Sequence, residues 1–113
     1  MNSPEALAQH QLDAYNAHDL ERFLHAYSEE VEVFRPPAAE PALRGKAAFA
    51  EFYATQRFNR PALHAELLNR MVIGNKVIDH ERIHGIADQP VEMAIAFEVL
   101  DGLIRRVWSF AAA

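Results

Sequence analysis

Residues 91–110 read VEMAIAFEVLDGLIRRVWSF, two apolar runs of strand length joined by Asp101-Gly102. Asp-Gly is what a tight two-residue hairpin demands, because both central residues of that turn adopt positive φ. Simple closure pairs Leu100 with Leu103, Glu98 with Arg105, Ala96 with Val107, and Ala94 with Ser109.

Upstream, 62–73 and 76–86 are further extended runs, separated by Gly74-Asn75 and followed by the turn 87–90 with Pro90. The C-terminal half is thus a four-strand meander. Its middle turn sets Arg82 opposite Ala94, His80 opposite Ala96 and His84 near Glu92.

The N-terminal half has helical period. Ser3-Pro4-Glu5 is a helix start, and Leu7, Ala8, Leu12 and Tyr15 recur at helical spacing to about Asn16. Asp19 caps a short second helix with Leu20, Phe23, Leu24 and Tyr27 on one side. Val31 to Arg35 alternates as a short strand that ends at Pro36-Pro37. The stretch from Pro36 to Gly45 reads as a loop, and Lys46 to Phe58 as a third helix ended by Asn59-Arg60-Pro61. Helices followed by hairpin strands define an α+β fold: three N-terminal helices packed on a strongly curved, mixed or antiparallel sheet.

At 113 residues the chain is one domain, 1–113, long enough to bury roughly two thirds of its unfolded surface. With a net charge of -5 and its 11 Lys and Arg scattered singly, it offers no basic stripe for nucleic acid. It contains no cysteine, which fits a reducing cytosol. The first residues lack the pattern of a secretory signal, and no apolar run nears the 18 or so residues that cross a bilayer. The expectation is a cytoplasmic protein without membrane or nucleic-acid partners.

The hairpin register sorts the sheet into two faces. One carries His80, Arg82, His84, Ala94, Ala96, Glu98, Arg105, Val107 and Ser109, and the other carries Ile83, Met93, Ile95, Phe97, Trp108 and Phe110. If the helices cover the first face, it lines a pocket for a small organic ligand. The second is then covered by a homodimer partner through Ile95, Phe97 and Trp108. The other reading makes the apolar face the helix-covered core and leaves the polar face in solvent.

The order of elements, together with Tyr15-Asn16-Ala17-His18-Asp19-Leu20, Leu43-Arg44-Gly45, Glu51-Phe52-Tyr53-Ala54 and the hairpin from Phe97 to Ile104, resembles the SnoaL-like families of the nuclear transport factor 2-like superfamily. That superfamily includes ketosteroid isomerases and limonene epoxide hydrolases, and the resemblance covers nearly the whole chain. It implies a cone-shaped fold around a ligand pocket. In the isomerase pattern Arg35 stands where the carboxylate base would be, Gln11 and Ala96 stand at the oxyanion-hole positions, and Tyr53 matches a pocket tyrosine. In the hydrolase pattern Arg82 is kept, while His84 and Ser109 replace the two aspartates.

His84 is the candidate base, since imidazole titrates near neutrality, with Arg82 as the electrophile that holds an anionic oxygen; the other reading pairs His84 with Glu92 at the rim. Arg35 offers a planar fork of donors, with pairing to Glu40 as its other reading. Tyr15 and Tyr53 offer hydroxyls, and Ala96, Val107 and Ser109 complete the substrate-binding set. His80 and His84 lie roughly 13 Å apart along a strand, too far for one metal ion, and glycine-rich phosphate loops and nucleotide fingerprints are absent, so neither metal nor cofactor is expected. The expected function is cofactor-independent proton transfer or water addition on a small, apolar, oxygen-bearing substrate. The alternative is a non-catalytic ligand-binding or dimerisation domain.

Overall fold

In the computed structural model, which describes residues 3–112, helix α1 spans Pro4–Asn16 and α2 spans Leu20–Leu24. Strand β1 (Tyr27–Phe34) leads through the two-residue β2 (Leu43–Arg44) to α3 (Lys46–Gln56). The meander follows as β3 (His64–Ile73), β4 (Lys76–His84), β5 (Val91–Leu100) and β6 (Leu103–Ala111). One six-stranded sheet results, in the order β2-β1-β6-β5-β4-β3, with β1 parallel to β6 and every other neighbour antiparallel.

The helix starts follow from their caps. The Ser3 hydroxyl accepts from the Ala6 amide at 3.1 Å, and the Asp19 carboxylate accepts from the Arg22 amide at 3.1 Å. His18, at φ 57°, turns the chain between α1 and α2, and its Nε2 lies 2.7 Å from the Leu63 carbonyl. The Asn16 amide group both donates to the Ala65 carbonyl (2.9 Å) and accepts from the Ala65 amide (2.7 Å). The Asn16-Ala17-His18-Asp19 string therefore pins the end of α1 to β3. Tyr27, expected on the second helix, instead opens β1, and its ring packs 4.5 Å from Phe49.

Asp101 and Gly102 take φ 52° and 78°, and Leu100 pairs with Leu103 as the Asp-Gly signal predicts. One step further the register departs from expectation. Val99 pairs with Ile104, but Glu98 pairs with Arg106, so Arg105 is an extra residue in β6. This bulge lets Ile104 and Val107, three apart, both bury their side chains. It also turns the β5 faces over. Phe97 now opposes Val107, Ile95 opposes Ser109 and Ala96 opposes Trp108.

Consequently Ile83, Met93, Ile95 and Phe97 lie beneath the helices, and His80, Arg82, His84, Ala94 and Ala96 lie on the outer face. On β6, Val107 and Ser109 face inward while Trp108 stacks outside on Phe34, with ring centroids 5.7 Å apart. The β4–β5 register is two residues from the expected one, with Arg82 opposite Glu92 and His80 opposite Ala94. No helix among the described residues is long and apolar enough to cross a membrane.

Candidate functional site: a cavity with one buried carboxyl

Between the helices and the concave face of the sheet lies a cavity. Its volume is about 70 Å³. That suits a few water molecules, or the inner part of a small organic molecule whose remainder fills the mouth. Its walls are mainly aromatic and aliphatic: Phe23, Phe52, Ile83, Met93, Ile95 and Phe97, with Tyr15, Tyr27 and Tyr53 contributing ring faces. The core behind it is an aromatic stack in which Phe23 lies 5.8 Å from Phe49 and 4.8 Å from Tyr53.

Strand alternation explains the polar group at the back. On β4 the inward positions are Val77, Asp79, Glu81 and Ile83, and all four are buried. Asp79 is matched by a cation. Arg70 on β3 grips it with two bonds, Nε to Oδ1 at 2.7 Å and a second guanidinium nitrogen to Oδ2 at 2.9 Å, while also donating to Gln9 of α1 at 2.9 Å. Glu81, two residues on, lines the cavity at 3 % exposure. Burial, and then the neighbouring Asp79 charge, push its carboxyl up to about 8 against the opposing pull of Arg70. Glu81 is therefore a neutral carboxylic acid at pH 7, able to donate a proton into an apolar chamber.

Tyr27 and Gln11, also lining the cavity, satisfy each other. The Tyr27 hydroxyl donates to Gln11 Oε1 at 3.0 Å, and Gln11 Nε2 donates to the Ala8 carbonyl at 3.0 Å. The phenols of Tyr15 and Tyr53 are raised above their ordinary range, chiefly by burial, and stay protonated donors. At the mouth stand Arg35, just beyond β1, and Arg57, the C-cap of α3, both over the Phe52 ring.

Of the residues singled out in the sequence, the cavity brings together Tyr15, Tyr53, Arg35, Val107 and Ser109. Arg82, His84 and Ala96 are corrected: they lie on the opposite face, because the Arg105 bulge reverses the sides expected for β4 and β5. There Glu66 of β3 holds Arg82 at 3.4 Å and His84 at 3.2 Å. These two bonds, His84 first, keep the Glu66 carboxyl below its ordinary range. The inward-facing Ile95 and Phe97 likewise leave Trp108 as the one member of the expected outer trio on the outer face. Glu98 pairs with Arg106 at 2.7 Å rather than with Arg105.

Sequence reasoning missed Glu81, Arg57 and Phe52. For Glu81 a signal existed, since a carboxyl at an alternate position between Val77 and Ile83 shares their side of the strand. Arg57 sits one residue beyond α3, and its place at the mouth depends on tertiary packing that spacing does not encode. Among the described residues, no group of three or more His, Cys, Asp or Glu is arranged to hold a metal ion.

Comparison with known proteins agrees with this architecture. Residues 8–107 match the family model of the SnoaL-like domain. No curated protein is significantly similar in sequence. Among solved structures, a candidate ketosteroid isomerase from Kribbella flavida superposes with a TM-score of 0.82 at 22% identity, covering 97% of this chain and 78% of its own. A SnoaL-like protein of unknown function from Burkholderia thailandensis gives 0.81 at 21% identity, covering 97% and 94%. A candidate polyketide cyclase from Sinorhizobium meliloti gives 0.77 at 19% identity, covering 91% and 92%. At these identities the structures speak for the shared fold, while the family match spans most of the sequence. The chain belongs to the SnoaL-like domain family.

Proposed function

We propose that the cavity binds a small, mainly apolar, oxygen-bearing molecule and that Glu81 moves a proton to or from it without a cofactor. The observation that carries this reading is the Glu81 carboxyl, buried in an aromatic chamber and raised to about 8. A carboxyl with that pKa is matched to proton transfer near neutral pH, where an ordinary glutamate is fully ionised and a poor acid. Entering as the neutral acid, Glu81 donates to a carbonyl or hydroxyl oxygen. Leaving as the carboxylate, it takes back a proton from carbon or from water. Tyr15 and Tyr53, held protonated by burial, are the additional donors for the developing oxygen charge.

The test is a panel of small ketones, enones and hydroxy compounds incubated in D2O and followed by NMR for conversion or deuterium uptake. Glu81→Gln keeps the shape and removes the proton carrier, so turnover should fall about 10²–10⁴-fold while binding persists. Equal turnover in the variant would overturn the role of Glu81. Compounds that raise the melting temperature but are never converted would instead support the second reading, a non-catalytic binding domain.

We also propose that the outer sheet face pairs with a second copy of the chain. In support, Trp108 stacked on Phe34 forms a ridge beside the shallow track of Ala94 and Ala96. Across that track stand His80, Arg82 and His84 with Glu66 and Glu92. Charges of both signs on one face suit a two-fold interface, in which the patch must complement itself.

A further inference from the structure

We propose that Arg35 and Arg57 form a clamp for a carboxylate, so that the ligand is a small organic acid whose apolar body points inward toward Glu81. This deepens the preceding reading and rests on the cavity being a ligand site.

Among the described residues Arg22, Arg35, Arg57 and Arg60 have no ion-pair partner, and of these four Arg35 and Arg57 line the cavity. Arg44, Arg70, Arg82, Arg105 and Arg106 each have a carboxylate within ion-pair distance. Arg35 and Arg57 have none among the described residues, although the chain carries 16 acidic residues against 11 basic ones. Their guanidinium carbons lie 5.1 and 5.0 Å from the centroid of the same Phe52 ring. Two like charges gathered on one ring repel each other, and the aromatic face offsets that cost only in part. An anion bridging them removes the repulsion.

The geometry favours a carboxylate. Each guanidinium carbon lies over the Phe52 ring, and the planar fork of N–H donors that each group carries matches two coplanar oxygens. Arg57 spends one donor on the Gln56 carbonyl at 2.9 Å and another on the Tyr15 hydroxyl, and keeps the rest of its five for a ligand. A dianionic phosphate is poorly served, because the end of α3 at Arg57 is the C-terminal, partially negative end, with carbonyls rather than amides exposed. Inside the mouth Glu81 is neutral near pH 7 and does not repel the acid, and Arg35 and Arg57 both act electrostatically on the buried Tyr53 phenol. A monocarboxylate at the rim thus leaves its ring or chain among Phe52, Ile95 and Phe97, on the path to Glu81.

The experiment is calorimetric titration of the full chain with benzoate, cyclohexanecarboxylate and hexanoate, each beside its primary amide and its phosphonate counterpart. The proteins are wild type, Arg35→Gln, Arg57→Gln and the double variant. Each acid should bind at least about tenfold more tightly than its amide, and the double variant should bring the two to within about twofold of each other by weakening the acid far more than the amide. Raising the salt concentration should weaken the acid and spare the amide. Amides binding as well as acids, with affinities indifferent to both arginines, would overturn the clamp and leave the cavity as a ligand site. Phosphonates binding more tightly than carboxylates would overturn the choice of anion. Failure of every acid and amide to bind would overturn both the clamp and the cavity reading. The double variant's melting temperature and circular dichroism separate lost recognition from lost folding.

Discussion

Between Val77 and Ile83, both packed beneath the helices, β4 places Asp79 and Glu81 on one buried face. Their fates differ because Arg70 reaches Asp79 with two bonds and reaches Glu81 only through space. Removing the cation alone strands a buried charge, so Arg70→Ala should cost about 3–5 kcal/mol in chemical denaturation and raise Glu81 further. Replacing the pair together, as Arg70→Met with Asp79→Leu, should restore most of that loss. Glu81 also carries a pH signature of definite sign. Its folded pKa lies above the ordinary 4.5, so its contribution to stability is complete below that value and is lost as pH rises toward about 8. Denaturation midpoints of wild type should therefore decline relative to Glu81→Gln across that window, by on the order of 1 kcal/mol per pH unit. A constant difference between the two proteins would contradict the assignment. At this scale the sequence was half legible. Tyr15, Tyr53 and Arg35 could be placed at a pocket because they stand on helices and a strand end whose inward side periodicity reveals. The buried Glu81 carboxyl stayed hidden behind the more conspicuous histidines of the neighbouring, outward positions.

Element by element, the decisive event is the single extra residue in β6. Leu103-Ile104-Arg105-Arg106-Val107 carries apolar groups three apart, a spacing that regular alternation cannot bury on one side. The chain resolves this by bulging at Arg105, whose guanidinium donates to the Glu30 carbonyl at 2.7 Å and to Glu32 at 3.2 Å. Hairpin closure from Asp101-Gly102 gave the turn correctly and the faces incorrectly, because a bulge changes parity without changing the turn. A second element-level constraint sits where β4 ends. Gly85 has φ 89°, and a side-chain carbon there would come within 2.5 Å of the Ala62 backbone. Gly85→Ala should destabilise the fold by more than about 2 kcal/mol, since the clash adds to the left-handed strain. At the same end of β3, Asn16 supplies both bonds to Ala65, and Asn16→Ala should cost about 1–3 kcal/mol by leaving a part-buried amide and carbonyl unmet. Melting temperatures of the two variants check both figures.

On the scale of the whole molecule, the α+β architecture was legible because strand length, helix caps and the Gly and Pro breakers all point the same way. The sides of the sheet were not, since they hang on one bulge. With Trp108 outside and Glu81 inside, the proposed dimer contact and the proposed ligand site lie on opposite faces, and damage to one should spare the other. Trp108→Glu should halve the mass seen by light scattering while leaving ligand affinity in the cavity unchanged; a wild type that is already monomeric would remove the proposed partner. The account as a whole depends on Glu81 facing an apolar cavity as a neutral acid at physiological pH. Carbon-13 NMR of the labelled Glu81 side-chain carboxyl, titrated between pH 3 and 10 with Glu81→Gln to assign the signal, measures this directly. A midpoint near 8 is the predicted result. A midpoint near the ordinary 4.5 would contradict it.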